Sequence, residues 1–285
     1  MVAIDPTISV GAVGIGGDQT EWGNFGNEVL RGTGPDLDFY VVHDYGFDSG
    51  PTIDDVLSRP ERSWPVTMGG IELSMAETRP AREIPVAVTE YNMFAFADGD
   101  PDALMSKAVS AFYIADSIGQ MARLGVSLAN QWNVLNGASS AGSDYGLLDP
   151  ETGAPMPQFY AMAIWSTFGA EMLPVGVGLR AAVGVRAYGG RDERGTITLL
   201  VLNRSGDDVT VPVVLADAAA DYSVLADVVT ASAMDAPSVS YNGVAGTDTH
   251  LADIPGTDLG LTTSETVRHL FPARLITRLT FTPTG

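Results

Sequence analysis

Residues 38–45 (DFYVVHDY) and 84–91 (IPVAVTEY) decide the fold. Each is a run of β-branched, aromatic or small apolar residues that ends abruptly in polar chemistry, and each reads as a strand. Their apolar positions are consecutive rather than alternating. A strand of that kind is covered on both faces, as in a parallel sheet flanked by helices. Working outward, Ile8–Ile15 (ISVGAVGI) reads as a buried strand before them and Val126–Val134 (VSLANQWNV) as a strand after them. Helical pieces fall between: Gly26–Arg31, Ile53–Ser58, Gly70–Glu77, and a long helix from Pro101 to Leu124. In the long helix Ala108, Ala111, Phe112, Ala115, Ile118 and Ala122 recur at three- and four-residue spacing. Gly125 stands where a helix stops. A helix over Gln158–Phe168 completes four strand–helix units, the pattern of an α/β parallel sheet.

After Pro174 the texture changes. Thr196–Leu202, Val209–Leu215, Tyr222–Val229 and Arg274–Phe281 are short strand patterns separated by turn signals such as Arg204–Asp208 (RSGDD), without helical periodicity. This predicts an antiparallel β-sandwich. The expected organisation is α/β over residues 1–172 and all-β over 173–285.

Composition sets limits on function. Apolar residues are 45% and charged residues 18% of the 285, enough for a packed core. No apolar run reaches the roughly 18 residues of a membrane helix. With no cysteine there is no disulfide, thiolate metal site or thiol nucleophile. The net charge is −20, with Lys107 the one lysine. Nucleic acid and anionic membranes are therefore not expected partners. Residues 1–172 hold 23 acids and 7 bases, net −16. The opening MVAIDPTISVGAVG has no basic segment and does not read as a signal peptide. Localisation stays open.

In parallel βα architectures functional groups gather at the C-terminal ends of strands. Those ends are His43-Asp44-Tyr45, Thr89-Glu90-Tyr91-Asn92 and Asn130-Gln131-Trp132-Asn133. A carboxylate, hydroxyl-binding groups and flat rings are what a sugar requires. Glu90 follows an apolar run, so its base is buried; it either attacks an anomeric carbon or takes a proton, or else pairs with an arginine. His43 and Tyr45 are two apart and face one side, with Asp44 turned away. They would orient a carboxylate and bind a hydroxyl, although a strand-end histidine also serves simply as structure. Trp132 is a stacking platform or ordinary packing, and Gln131 should face the side opposite to it. Trp22 is a weaker stacking candidate. The glycines of Gly11–Gly17 lack the helix cap and the distant acid of a dinucleotide site. No Walker loop, nucleophile elbow, zinc-protease helix or metal-ligand cluster is present. No metal or cofactor is expected.

These strand ends, in this order, followed by DYGLLDPETGAPMPQFYAMAIWSTFG and a β-rich region, resemble the C-terminal portion of clan A glycoside hydrolases. The resemblance is greatest to the α-L-arabinofuranosidases and β-xylosidase-like families. It covers essentially the whole chain. It implies a (β/α)8 barrel with an appended sandwich, and a retaining mechanism with two glutamates. By that resemblance the four strands are the fifth to eighth of the barrel. Glu90 is then the nucleophile, His43 and Tyr45 support it and the sugar, and Gln131 and Trp132 line the subsite. The family's acid/base glutamate follows an asparagine on the fourth strand, which would precede residue 1. A whole barrel takes about 250 residues, so residues 1–172 read as its second half, and the chain alone is expected to be nearly inactive. Family sandwiches often borrow a strand from before the barrel, so this one is expected to lack a piece. Three arrangements are open: a fragment of a longer protein, a complement to a separately encoded half, or a homo-oligomer that closes a barrel. A noncatalytic carbohydrate-binding protein is the alternative function.

Overall fold

The computed structural model describes residues 4–33, 36–80, 82–178, 184–216, 221–245, 250–262 and 266–284. Strands β1 (Gly11–Val13), β2 (Phe39–Phe47), β3 (Val86–Phe94) and β4 (Leu128–Gln131) form a parallel sheet in the order β1-β2-β3-β4. Helices α1 (Glu21–Thr33), α2 (Ile53–Thr78), α3 (Ala108–Arg123) and α4 (Pro157–Trp165) accompany them. The mixed α/β reading holds. The two central strands carry the buried runs Tyr40–Val42 and Val86–Val88.

The outer strands correct the sequence reading. β1 covers three residues of the eight expected, and Val13 is exposed; β4 covers four, with Leu128 exposed. Each pairs on one side only, so its outer edge lacks the neighbour that would bury it.

Helix α2 also departs from expectation, running unbroken through Pro60 and Pro65 where two separate pieces were read. An interior proline removes one hydrogen bond and costs about 3 kcal/mol. Burial of Val56, Leu57, Trp64, Met68 and Ile71 opposes that cost. Trp64 lies edge-on to Tyr91 with centroids 6.3 Å apart. A capping box between Thr52 and Asp55 starts the helix. Residues 101–107, expected in the long helix, instead form turns held by Asp100, whose carboxylate accepts from the backbone N–H groups of Leu104 and Met105. Helix α3 begins at Ala108 without a side-chain cap. Its first N–H groups donate to the carbonyls of Ala236 and Met234, at 2.8 Å each.

A Cβ on Gly70 would lie 1.6 Å from the Gly17 carbonyl oxygen, whereas one on Gly69 would meet nothing within 4 Å. Gly70→Ala is therefore expected to destabilise by about 1–3 kcal/mol or more, because backbone must move. Gly69→Ala should stabilise by up to about 1 kcal/mol through helix propensity alone. Paired urea titrations check both; equal midpoints for the two variants would refute the packing argument.

The remaining strands are β5 (Glu171–Leu173), β6 (Val185–Arg191), β7 (Ile197–Asn203), β8 (Val209–Val214), β9 (Tyr222–Thr230), β10 (Ser240–Tyr241), β11 (Val244–Ala245), β12 (Thr257–Thr262), β13 (Thr266–Phe271) and β14 (Leu275–Pro283). They form an eight-stranded antiparallel sheet, β11-β10-β9-β14-β7-β6-β5 with β12 also on β9, and a two-stranded sheet β13-β8. The residue 172/173 boundary falls inside β5. One core cluster runs from α2 and α3 through Trp165 and Tyr188 to Leu200, Leu202, Val229 and Ile276, so the two regions pack as a continuous unit. A cavity of about 1000 Å³ lies away from the strand-end residues. It sits between β6–β7 and β8 and is lined chiefly by aliphatic side chains including Leu199, Val213 and Leu215.

Candidate active site

β2 and β3 run side by side, and a one-residue shift at Thr89 sets His43 opposite Glu90. An extra residue of this kind re-aims the side chains that follow it. The Tyr45 hydroxyl donates to Glu90 Oε2 at 2.8 Å, and His43 Nδ1 lies 3.5 Å from the same oxygen. The other imidazole nitrogen, Nε2, is 3.0 Å from Thr89 Oγ1. With the ring proton on Nδ1, the imidazole faces Glu90 as a donor and Nε2 accepts the Thr89 hydroxyl. Burial, reinforced by the Glu90 charge, raises the Tyr45 hydroxyl well above its ordinary range, so it stays protonated and donating. The Glu90 side chain is 28% exposed, held on one flank and open on another.

Asp44 points the other way, as strand alternation requires. Its carboxylate accepts from Thr67 of α2 at 2.7 Å, and burial raises its pKa. It belongs to the sheet–helix layer rather than to the Glu90 cluster.

The end of β4 is organised by amides. Asn92 Nδ2 donates to the carbonyls of Trp132 and Tyr145, at 2.5 and 3.4 Å. Gln131 Nε2 donates to the same two carbonyls and to Gln158 Oε1 at 2.7 Å. Gln158, fully buried, donates onward to the Met105 carbonyl at 3.0 Å. The Tyr145 hydroxyl donates to the Ala95 carbonyl at 3.1 Å, tying this loop back to the end of β3. Trp132 emerges from the network 42% exposed.

The structure thus gathers Glu90, His43 and Tyr45 into one cluster. It leaves Trp132 open at the rim and directs the Gln131 amide into the loop. Trp22 stands far out, 80% exposed. Sequence reasoning did not single out Thr89, Asn92, Tyr145 or Gln158. Asn92 carried a signal, being a polar residue at a buried strand end; the others bond to groups distant in sequence. Among the described residues, no group of three or more His, Asp or Glu side chains is placed to hold a metal ion.

No family model and no curated protein sequence matches the chain. Solved structures do. An arabinofuranosidase matches with a TM-score of 0.72 at 16% identity, over 98% of this chain and 59% of its own. The α-L-arabinofuranosidase of Thermotoga maritima, solved with arabinose, matches at 0.69 and 17%, over 98% and 58%. A monomeric β-xylosidase of Caulobacter crescentus matches at 0.62 and 17%, over 99% and 63%. The chain thus spans about three-fifths of the length of the structures it matches. Identities this low speak to architecture alone, and in architecture the chain resembles clan A glycoside hydrolases of the arabinofuranosidase and β-xylosidase kind, as its strand ends imply.

Proposed function

We propose that this chain is the nucleophile-bearing portion of a retaining glycoside hydrolase acting on arabinose- or xylose-containing glycans. In this reading residues 1–172 are the second half of a (β/α)8 barrel, strands five to eight, and residues 173–285 are its β-sandwich. The observation that carries it is the Glu90 carboxylate at the C-terminal end of a parallel strand, held by Tyr45 at 2.8 Å and flanked by His43 at 3.5 Å. A carboxylate fixed by two donors and still open can attack an anomeric carbon and form a glycosyl-enzyme bond. Tyr45 fixes the rotamer, His43 positions the nucleophile, and Trp132 offers a face to the sugar.

Retaining hydrolysis needs a second carboxylate about 5–5.5 Å away. The partners of Glu90 among the described residues are Tyr45 and His43, and neither is a carboxylic acid. The acid/base group comes from the complementary half of the barrel, which also covers the open edges of β1 and β4. Exposed strand edges of this kind are templates for further pairing. The aliphatic cavity beside β8 suits an added strand in the same way.

Covalent labelling tests the reading. The chain, incubated with activated 2-deoxy-2-fluoro glycosides of arabinofuranose and xylose, should gain one sugar mass on the peptide that contains Glu90. Sugar binding by calorimetry with no labelling would instead favour a noncatalytic carbohydrate-binding protein.

A further inference from the structure

We propose that the face formed by the C-terminal ends of β1–β4 binds a saccharide chain rather than a single terminal sugar, with Trp22 and Phe96 as stacking platforms beyond Trp132. This rests on the saccharide reading of the Glu90 site and extends it to the size of the ligand.

The large aromatic side chains exposed among the described residues are Trp22 at 80%, Phe96 at 68%, Trp132 at 42% and Phe25 at 40%. All four follow the C-terminal end of a parallel strand: Trp22 and Phe25 after β1, Phe96 after β3, Trp132 after β4. The antiparallel region contributes none of them. Trp64, Tyr91, Phe94 and Phe112 are fully buried, so the fold has core positions for aromatic rings and keeps these four out of them. Exposed aromatic rings gathered on one face and bordered by polar groups mark a binding surface.

Backbone geometry supports the outward placement of Trp22. Trp22, Gly23 and Asn24 have φ of 53°, 75° and 70°, three successive left-handed residues that break α1 at its start. A bulky residue seldom adopts that conformation. Phe96 lies six residues beyond Glu90, next to the Ala95 carbonyl that receives the Tyr145 hydroxyl. It is therefore continuous with the network that holds Trp132.

Charge selects the ligand. Between residues 18 and 31 the charged side chains are Asp18, Glu21 and the ion pair Glu28–Arg31, and between 94 and 102 the exposed ones are Asp98 and Asp102, Asp100 being buried. A polyanion is repelled from such a surface. A neutral polyhydroxylated chain finds rings to stack on and carboxylates and amides to accept its hydroxyls. Neighbouring strands are about 4.8 Å apart, so β1 to β4 spans about 14 Å, room for several sugar rings in a row.

The test compares calorimetric affinities of the chain for L-arabinose and D-xylose with those for α-1,5-arabinotetraose and xylotetraose. One tetraose should bind at least about tenfold more tightly than its monosaccharide. Trp22→Ala and Phe96→Ala should each cut that ratio about threefold to tenfold, the range expected for one aromatic stacking contact. Both side chains are exposed, so circular dichroism and thermal midpoints should match the parent. Equal affinity for monomer and tetramer, or a ratio untouched by both substitutions, overturns the inference. If Glu90 is labelled under those outcomes, only the extended face is lost. If no sugar binds and Glu90 is not labelled, the saccharide reading falls with it.

Discussion

Glu90→Gln is expected to abolish the release of dinitrophenolate from a dinitrophenyl α-L-arabinofuranoside or β-D-xyloside, by on the order of 10⁴-fold, as removal of a covalent nucleophile does. The leaving group decides the design. In glycosylation a Glu90 oxygen bonds to the anomeric carbon while the glycosidic oxygen departs with its electron pair. Dinitrophenolate needs no proton to leave, so the step does not wait for an acid/base group. In the proposed reading the general base belongs to the complementary half of the barrel, so the parent chain should release about one equivalent in a burst and then turn over slowly. The amide introduced by Glu90→Gln is nearly isosteric with the carboxylate and still accepts from Tyr45, so folding is preserved while nucleophilicity is lost. Tyr45→Phe removes the hydroxyl 2.8 Å from Glu90 Oε2. A hydrogen bond to a charged group contributes about 1.5–3 kcal/mol, so the burst should slow about 10- to 150-fold without shrinking. Stopped-flow absorbance reads both quantities. A burst of parental size from Glu90→Gln would remove Glu90 from the reaction.

The order of these effects follows from what the sequence makes legible. β2 and β3 stand out because consecutive apolar residues need cover on both faces, and both strands have a neighbour on each side. The division of labour at the end of β2 is legible too. Alternation sends His43 and Tyr45 one way and Asp44 the other, where it meets Thr67. The extra residue at Thr89 carries no compositional mark, so its re-aiming of β3 appears only in three dimensions. Gln131 and the buried polar Asn92 are visible in the sequence, but the bonds of their network with Gln158 are not, because they reach backbone carbonyls 14–53 residues away. β6 escapes a propensity reading because Gly189 and Gly190 interrupt it. A Cβ at Gly190 would come within 2.4 Å of the Phe168 carbonyl oxygen, so packing against the end of α4 selects glycine over a β-former. Val13 and Leu128 on the outer strands are exposed where the sequence reads as buried apolar runs.

The second large effect concerns the joint between the parallel and antiparallel regions. Asp116→Ala is expected to destabilise the chain by about 3–5 kcal/mol, the range for breaking a buried charged network by removing one member. Asp116 of α3 is 1% exposed. Its carboxylate accepts from the Tyr188 hydroxyl of β6 and from Gln120 Nε2, and Arg204 Nη1 lies 3.6 Å from Oδ2. Arg204 is itself buried, near Glu61 of α2, and donates to the Leu57 carbonyl. Helix α3, strand β6 and the turn after β7 thus meet on one carboxylate, and removing it leaves the Tyr188 hydroxyl with only the longer contact to the Asp116 carbonyl, at 3.4 Å, and leaves a void beside Arg204. Burial is the largest influence on Asp116 and raises its pKa, opposed by Arg204 and the Tyr188 hydroxyl. Folded Asp116 therefore holds its proton to higher pH than the unfolded chain does. Its contribution to stability is greatest below the ordinary aspartate pKa and declines as pH rises through the raised value. Asp116→Asn keeps an acceptor for Tyr188 and cannot ionise, so it should cost less than Asp116→Ala. The stability difference between parent and Asp116→Asn should then shift in favour of the Asn variant as pH rises. Urea unfolding at a series of pH values measures that difference directly; a shift in the opposite direction would mean that Arg204, rather than burial, governs the carboxylate.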